Sequence, residues 1–210
     1  MHGANRIQAL AELRNMALRP LKSTTSSESS DKLAEIYASD AHVNREAHMT
    51  CAFDWIFNGT AFYDAWVSRS LVGDTFFEIP HDGAWTYAKD LFWSDPDARQ
   101  RLEAYKPFQI YSCRGGMAAL IAASFADDTV EFRASDPGSW EVLAVPAVNV
   151  AYFDEEAVGT KMMRGYVGDH VEQSRPSLAQ DEIVQWQSAP PPMVKCLPSF
   201  QQPSWTTPLL

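Results

Sequence analysis

The chain has 210 residues, is 46% hydrophobic and 12% aromatic, and carries a net charge of −10. That length suits one domain, or one domain plus a tail, and the apolar fraction is enough for a sizeable core. So acidic a balance excludes the basic footprint of a nucleic-acid binder, and an anionic substrate would need a local basic pocket.

Residues 5–21 read as an amphipathic helix with Ile7, Leu10, Leu18 and Leu21 near one face, Asn5 as N-cap and Pro20 at the end. Arg14 lies on the same stripe. A guanidinium there needs a partner, either an ion pair inside the fold or a phosphate suited to its planar fork. Residues 22–32, "KSTTSSESSDK", form a polar loop, and "KLAEIYASDAHVNREAH" has a modest helical pattern. "MTCAFDWIF" reads as a buried strand with one acid, Asp54, near its end. In α/β folds the carboxyl ends of strands are where ligands bind.

Asn58-Gly59-Thr60 fits the N-glycosylation acceptor pattern. "FYDAWVSR" follows, and it places Asp64 and Arg69 among three rings. One reading makes the rings core and the two charges a pair. The other makes Tyr63, Asp64, Trp66 and Arg69 a sugar-binding set, since sugars stack apolar faces on rings and offer hydroxyl edges to charged groups. After a turn at Gly73-Asp74, residues 76–107 are rich in aromatic and turn residues and are expected to drape over a sheet. Phe108 to Cys113 reads as a strand, Gly115-Gly116 as a turn, Met117 to Phe125 as an apolar element and "VEFRAS" as a short strand. "EVLAVPAVNVAYF" is a second buried strand interrupted by Pro146. From Asp154 the chain turns polar and proline-rich, and its end is expected to wrap the domain as an extended tail pinned by Trp186 and Trp205. The division is therefore an α/β domain over 1–153 and a C-terminal extension over 154–210.

No stretch approaches the roughly 20 apolar residues of a membrane helix, and "MHGANRIQALAELRN" lacks a signal-peptide core. Cys51, Cys113 and Cys196 are too few for a disulfide framework and lack zinc spacing, but one disulfide plus a free thiol is allowed in an oxidising compartment. There is no P-loop, no G-x-S-x-G elbow, no H-E-x-x-H and no C-x-x-C pair.

Six segments in order, "NRIQALAELRNMALRPL", "MTCAFDW", "FYDAWVSRSLVGDTF", "PFQIYSCRGGMAAL", "VLAVPAVNVAY" and "IVQWQSAPPPMVKC", carry a family resemblance. The chain resembles the fungal capsule-associated α-1,3-mannosyltransferase family, of the cryptococcal mannosyltransferase type, as a shortened or diverged member. The resemblance implies a nucleotide-sugar glycosyltransferase fold, GT-A-like with a Rossmann-like half. It implies mannose transfer from GDP-mannose to an acceptor-glycan hydroxyl with Mn²⁺. It also implies a Golgi or secretory-pathway membrane protein held by an N-terminal anchor.

By motif, the resemblance places Arg6, Arg14 and Asn15 at the nucleotide. It makes Asp54, Asp64 and Arg69 the catalytic set, and Tyr63, Trp66, Ser112, Cys113 and Gly116 substrate-binding. The family writes Trp-Asn-Gly after Ser-Cys, where this chain has Arg114-Gly115-Gly116. It also carries an apolar strand ending in Asn-Asp before Cys-x-x-Asp, and a Ser-Glu segment before the last strand. Here Asp40 and Glu141 are the nearest substitutes, so the metal ligand is not assigned. Those two differences support an alternative, a non-catalytic relative that binds a sugar nucleotide or a partner glycosyltransferase.

Overall fold

The apolar run after residue 48 forms strand β1, Met49–Ile56, and the computed structural model builds its sheet around it. The structure describes residues 16, 47–113, 116–120, 142–165 and 184–208. Apart from Met16, Ala47 and His48, the helical patterns expected over 5–21 and 32–48 lie outside the described residues, as do the loop 22–32 and the strand "VEFRAS".

Every residue of β1 from Thr50 to Trp55 is buried, as a near-continuous apolar run demands of a strand covered on both faces. Its side chains alternate. Cys51, Phe53 and Trp55 enter the main core, while Thr50, Ala52 and Asp54 face the other way. β2 (Ala61–Phe62) folds back antiparallel on the end of β1, through a turn at Phe57, Asn58 and Gly59 with φ of 52°, 56° and 83°. β3 is Phe108–Ile110, β4 is Ala118–Leu120 and β5 is Val142–Val150. The order is β2-β1-β5-β3, with β4 also paired to β1. β1 and β5 run parallel, and the other pairings in this sheet are antiparallel. The architecture is therefore mixed α/β.

Pro146 does not end β5. The register passes from Cys51↔Ala144 to Phe53↔Asn149, so β5 carries extra residues in a bulge. A residue without an N–H is tolerated there because the ladder is already broken.

Residues 76–95 do cover the sheet, and their Phe76, Phe77 and Phe92 join Phe53, Trp55, Phe62 and Phe108 in its aromatic core. Phe76 and Phe92 lie 4.4 Å apart between ring centroids and both meet Phe53. Each such phenylalanine stabilises the fold by roughly 1.5–3 kcal/mol through burial. A smaller cluster of Ala47, Leu143, Val145 and Val184, with Trp186 packed against it, forms on the opposite side.

Helix α1, Pro96–Glu103, starts where Asp95 accepts from the Ala98 N–H at 3.1 Å and Pro96 occupies the first turn. Helix α2, Asp154–Arg164, falls inside the stretch read as polar extension. Its first turn holds Asp154, Glu155 and Glu156, its last holds Lys161 and Arg164, and Gly165 follows with φ of 81°. α2 crosses the end of β1. Thr160 backs Gly59, Gly159 leaves room for the Asn58 side chain, and the Arg164 guanidinium lies 3.7 Å from the Trp55 ring centroid.

The tail is more structured than an extended wrap. β6 (Val194–Cys196) and β7 (Ser204–Thr206) pair antiparallel as a separate two-stranded sheet. Lys195 docks it, with its N–H on Gly73 O at 2.8 Å and its ammonium 2.5 Å from Asp74. Gly73, at φ 83°, is required here, since a Cβ would sit 1.9 Å from Met193 O. Phe200 stacks on Trp66 at 4.5 Å and meets Trp85. Trp186 is a packing contact, as expected, but Trp205 is half exposed beneath the Lys195 ammonium. Phe200 fills the second pinning role.

Candidate functional site

Asp54 sits at the carboxyl end of β1, opposite Val150 of β5, and is 2% exposed. Strand alternation turns it away from the aromatic core. Its Oδ1 accepts from the Gly116 N–H, and its Oδ2 accepts from the Tyr152 hydroxyl at 3.0 Å. A Cβ at Gly116 would stand 2.8 Å from that carboxylate, so the glycine lets the loop after β3 approach. Burial pushes the Asp54 pKa above the ordinary carboxylate value. The Gly116 and Tyr152 hydrogen bonds oppose the shift, and the nearby charge of Asp64 adds to it.

Tyr152 is pushed up to about 12, first by burial and then by the Asp54 carboxylate, so it stays a neutral donor across the neutral range. Tyr63 reaches the same place. Its N–H donates to Asp54 O at 3.0 Å, and its ring meets the Tyr152 ring edge-on at 5.2 Å. One half-exposed phenol therefore holds the buried carboxylate, and a second packs against the first. This is the combination of apolar face, hydroxyl edge and negative charge that suits a hexose.

Asp64 and Arg69 do something else. Asp64 Oδ1 accepts from the Trp66 and Val67 N–H groups at 3.2 Å, and Oδ2 from the Ser68 hydroxyl at 2.7 Å. That is an aspartate closing its own turn. Arg69 is buried. Its guanidinium donates to Lys195 O at 2.6 Å, Ser68 O at 2.7 Å, Trp66 O at 3.1 Å and Ala65 O at 3.5 Å. Burial pulls its pKa down, and the charges of Asp64, Cys196 and Asp74 act against that.

Ser112 pairs with Arg69 along the backbone, and its hydroxyl donates to Val67 O at 2.6 Å. Cys113 forms a disulfide with Cys51, leaving Cys196 as the free thiol among the described residues. The structure thus brings Asp54, Tyr63 and Gly116 together with Tyr152. It gathers Asp64, Trp66, Arg69 and Ser112 into a neighbouring knot against the tail. Arg6, Arg14 and Asn15 lie outside the described residues. Tyr152 is the participant that sequence reasoning missed, although a tyrosine just past the carboxyl end of a buried strand is a signal that could have found it.

Among the described residues no three His, Cys, Asp or Glu side chains come together as a metal site. Among the described residues Asp64 is the one other acid whose charge acts on Asp54, and both Asp54 oxygens already accept a hydrogen bond. The described donor set by itself does not fit Mn²⁺, and no chemical step is derived through that ion. No helix among the described residues is long and apolar enough to cross a membrane.

The family described as Cryptococcal mannosyltransferase 1 matches residues 1–145. The chain belongs to the cryptococcal mannosyltransferase family. Asp54, Tyr63 and Gly116 all fall inside the matched span, and Tyr152 lies just past it. This family member is 29% identical over 237 residues to the alpha-1,3-mannosyltransferase CMT1 of Cryptococcus neoformans var. neoformans serotype D. That match covers 92% of this chain and 50% of the relative, so the chain spans about half the length of that protein. No solved structure matches.

Proposed function

We propose that this chain acts as a glycosyltransferase, moving mannose from GDP-mannose to a hydroxyl of an acceptor glycan in α-1,3 linkage, with Asp54 at the sugar. Family membership supports the reaction class. The observation that carries the site is the buried carboxylate at the carboxyl end of a parallel strand pair, held by the Gly116 N–H and by the hydroxyl of Tyr152, whose ring packs on that of Tyr63.

In the transfer, the bond from the anomeric carbon to the GDP phosphate breaks. A bond from the acceptor oxygen forms, GDP departs, and the acceptor proton leaves to solvent or to the departing phosphate. Positive charge develops on the sugar ring, and a fixed carboxylate beside it lowers that barrier. Tyr152 and Gly116 hold the carboxylate so that it need not reorganise, while Tyr63 and Tyr152 orient the hexose and narrow the access of water.

The same reading makes the mixed sheet part of a GT-A-like fold with a Rossmann-like half. Its support is the parallel β1–β5 pair with an acid at its carboxyl end. It puts the protein in the lumen of the fungal secretory pathway on an N-terminal anchor, at capsule polysaccharide. The Cys51–Cys113 disulfide supports an oxidising compartment. Dependence on Mn²⁺ is proposed from the family resemblance alone, with ligands drawn from outside the described residues.

Thermal melts with millimolar GDP-mannose test it, with and without Mn²⁺, on the wild type and Asp54→Asn. A ligand that binds only the folded state raises the Tm. The wild type is expected to shift and Asp54→Asn to shift far less; no wild-type shift overturns the donor site. A shift indifferent to metal, without turnover, establishes the non-catalytic relative instead.

A further inference from the structure

Phe57-Asn58-Gly59-Thr60 joins β1 to β2, and it is an N-glycosylation tripeptide with a phenylalanine directly before it. The Thr60 N–H closes the turn on Phe57 O at 3.2 Å, and the Thr60 hydroxyl donates to the same carbonyl at 2.8 Å. Asn58 and Gly59, the two central residues, have φ of 56° and 83°. Those are the signs that a tight primed hairpin turn requires, and asparagine and glycine adopt them most readily.

The fold leaves two features of this turn without a contact to explain them. Phe57 also has a positive φ, 52°, which a bulky side chain rarely adopts, and it is 62% exposed. Among the described residues no other ring meets it. Asn58 is exposed as well, and among the described residues nothing hydrogen-bonds its carboxamide. α2 backs it at Gly159, where a Cβ would stand 2.7 Å from Asn58 Cβ and Oδ1 and 2.8 Å from Cγ. The amide nitrogen is not among these nearest atoms. The helix packs the stem and the oxygen edge, and the nitrogen lies farther from it.

We propose that Asn58 carries an N-linked glycan whose first ring, an N-acetylglucosamine, lies on the Phe57 ring. A sugar has an apolar face that covers an exposed aromatic face, and that contact accounts for a phenylalanine held outward in an unfavourable conformation. In the modification the Asn58 amide nitrogen attacks the anomeric carbon of a polyprenyl-diphosphate-linked oligosaccharide. The carbon–nitrogen bond forms, the bond from that carbon to the phosphate oxygen breaks, the polyprenyl diphosphate leaves, and one amide proton passes to the transferring enzyme. The turn is synthesised well before α2, so the acceptor is open on the growing chain. Gly159 then lets the helix dock without striking the modified side chain. The inference rests on the lumenal compartment proposed above and is independent of the chemistry at Asp54.

Mass mapping of the full chain isolated from the cell that makes it tests the attachment. The peptide holding residue 58 is expected to carry hexose and N-acetylhexosamine, and an amidase in heavy-oxygen water should convert Asn58 to labelled aspartate. Protease treatment of sealed microsomes reports the compartment in parallel. An unmodified Asn58 on a protected chain overturns the proposal and leaves the lumenal reading standing; an unmodified Asn58 on a digested chain overturns both. Thermal melts test the ring contact. Trimming the glycan to its first sugar is expected to leave the Tm unchanged. Removing that sugar is expected to lower it by roughly 2–4 °C, the shift of about one aromatic contact in a chain of this size. In Phe57→Ala the same removal, which creates the same aspartate, is expected to leave the Tm in place. A Tm unmoved by complete removal, or moved equally in Phe57→Ala, overturns the contact with Phe57.

Discussion

The Tyr152 hydroxyl donates to Asp54 Oδ2 at 3.0 Å across a separation of 98 residues. That hydrogen bond favours the ionised carboxylate, against the burial that disfavours it. Tyr152→Phe removes it, so the Asp54 pKa rises further. The acid limb of the transfer pH profile is expected to move to higher pH, with kcat falling below that optimum. An unmoved acid limb with a lowered Tm would make Tyr152 a packing residue only.

Asp54→Asn is expected to abolish transfer without lowering stability. The folded pKa of Asp54 is raised above the ordinary 3.8. Between 3.8 and that raised value the folded state holds more protons than the unfolded state, so stability falls as pH rises through the window. Above it the cost is fully present. Asparagine can still accept from the Gly116 N–H and can donate to the Tyr152 oxygen, and it carries no charge. Melts from about pH 4 to about pH 8 should give a flatter curve for Asp54→Asn and a Tm at neutral pH no lower than wild type. A clear loss of Tm at pH 7 would contradict this.

Arg69→Lys is expected to cost about 2–4 kcal/mol in urea unfolding. A single ammonium cannot reach the carbonyls of Ala65, Trp66, Ser68 and Lys195 together, and each buried carbonyl left without a donor is expensive. Donor affinity measured on the folded fraction should change little. The reverse pattern, stability kept and affinity lost, would return Arg69 to the sugar site.

Some of this arrangement was legible in the sequence. The strand around Asp54 is an unbroken apolar run with one acid, and such an acid near a strand end has few reasons to be there. Asp64 and Arg69 were legible as charges among rings, but not as separate partners. A turn-closing aspartate and a carbonyl-binding arginine look like an ion pair when only their spacing is seen. α1 carried its signal in Asp95-Pro96, hidden in a segment dominated by aromatics. α2 was masked by the proline-rich chain that follows it, since averaging over 154–210 dilutes eleven helical residues. The contacts of Gly116, Tyr152 and Phe200 bring together distant segments, and no local pattern encodes them.

Replacing Cys51 and Cys113 with serine is expected to destabilise the chain by about 4 kcal/mol, from the freed entropy of a span of 62 residues. The loop that presents the Gly116 N–H begins at Cys113, so donor binding should weaken in the folded fraction as well. Urea unfolding and donor titration of the double variant read the two effects separately. A loss in neither would show that the loop is positioned without the bridge.

The parallel pairing of β1 with β5 also governs the order of assembly. The two strands are remote in the chain, the hydrogen-bonded side chains of Trp55 on β1 and Asn149 on β5 being 94 residues apart, and distant pairings of this kind are slow to nucleate. Oxidation of Cys51 with Cys113 shortcuts more than half of that distance and leaves about two fifths of it to be closed by diffusion. A newly made chain that oxidises early therefore reaches its native register faster than one kept reduced. Its rate of maturation is set by the thiol chemistry of its surroundings.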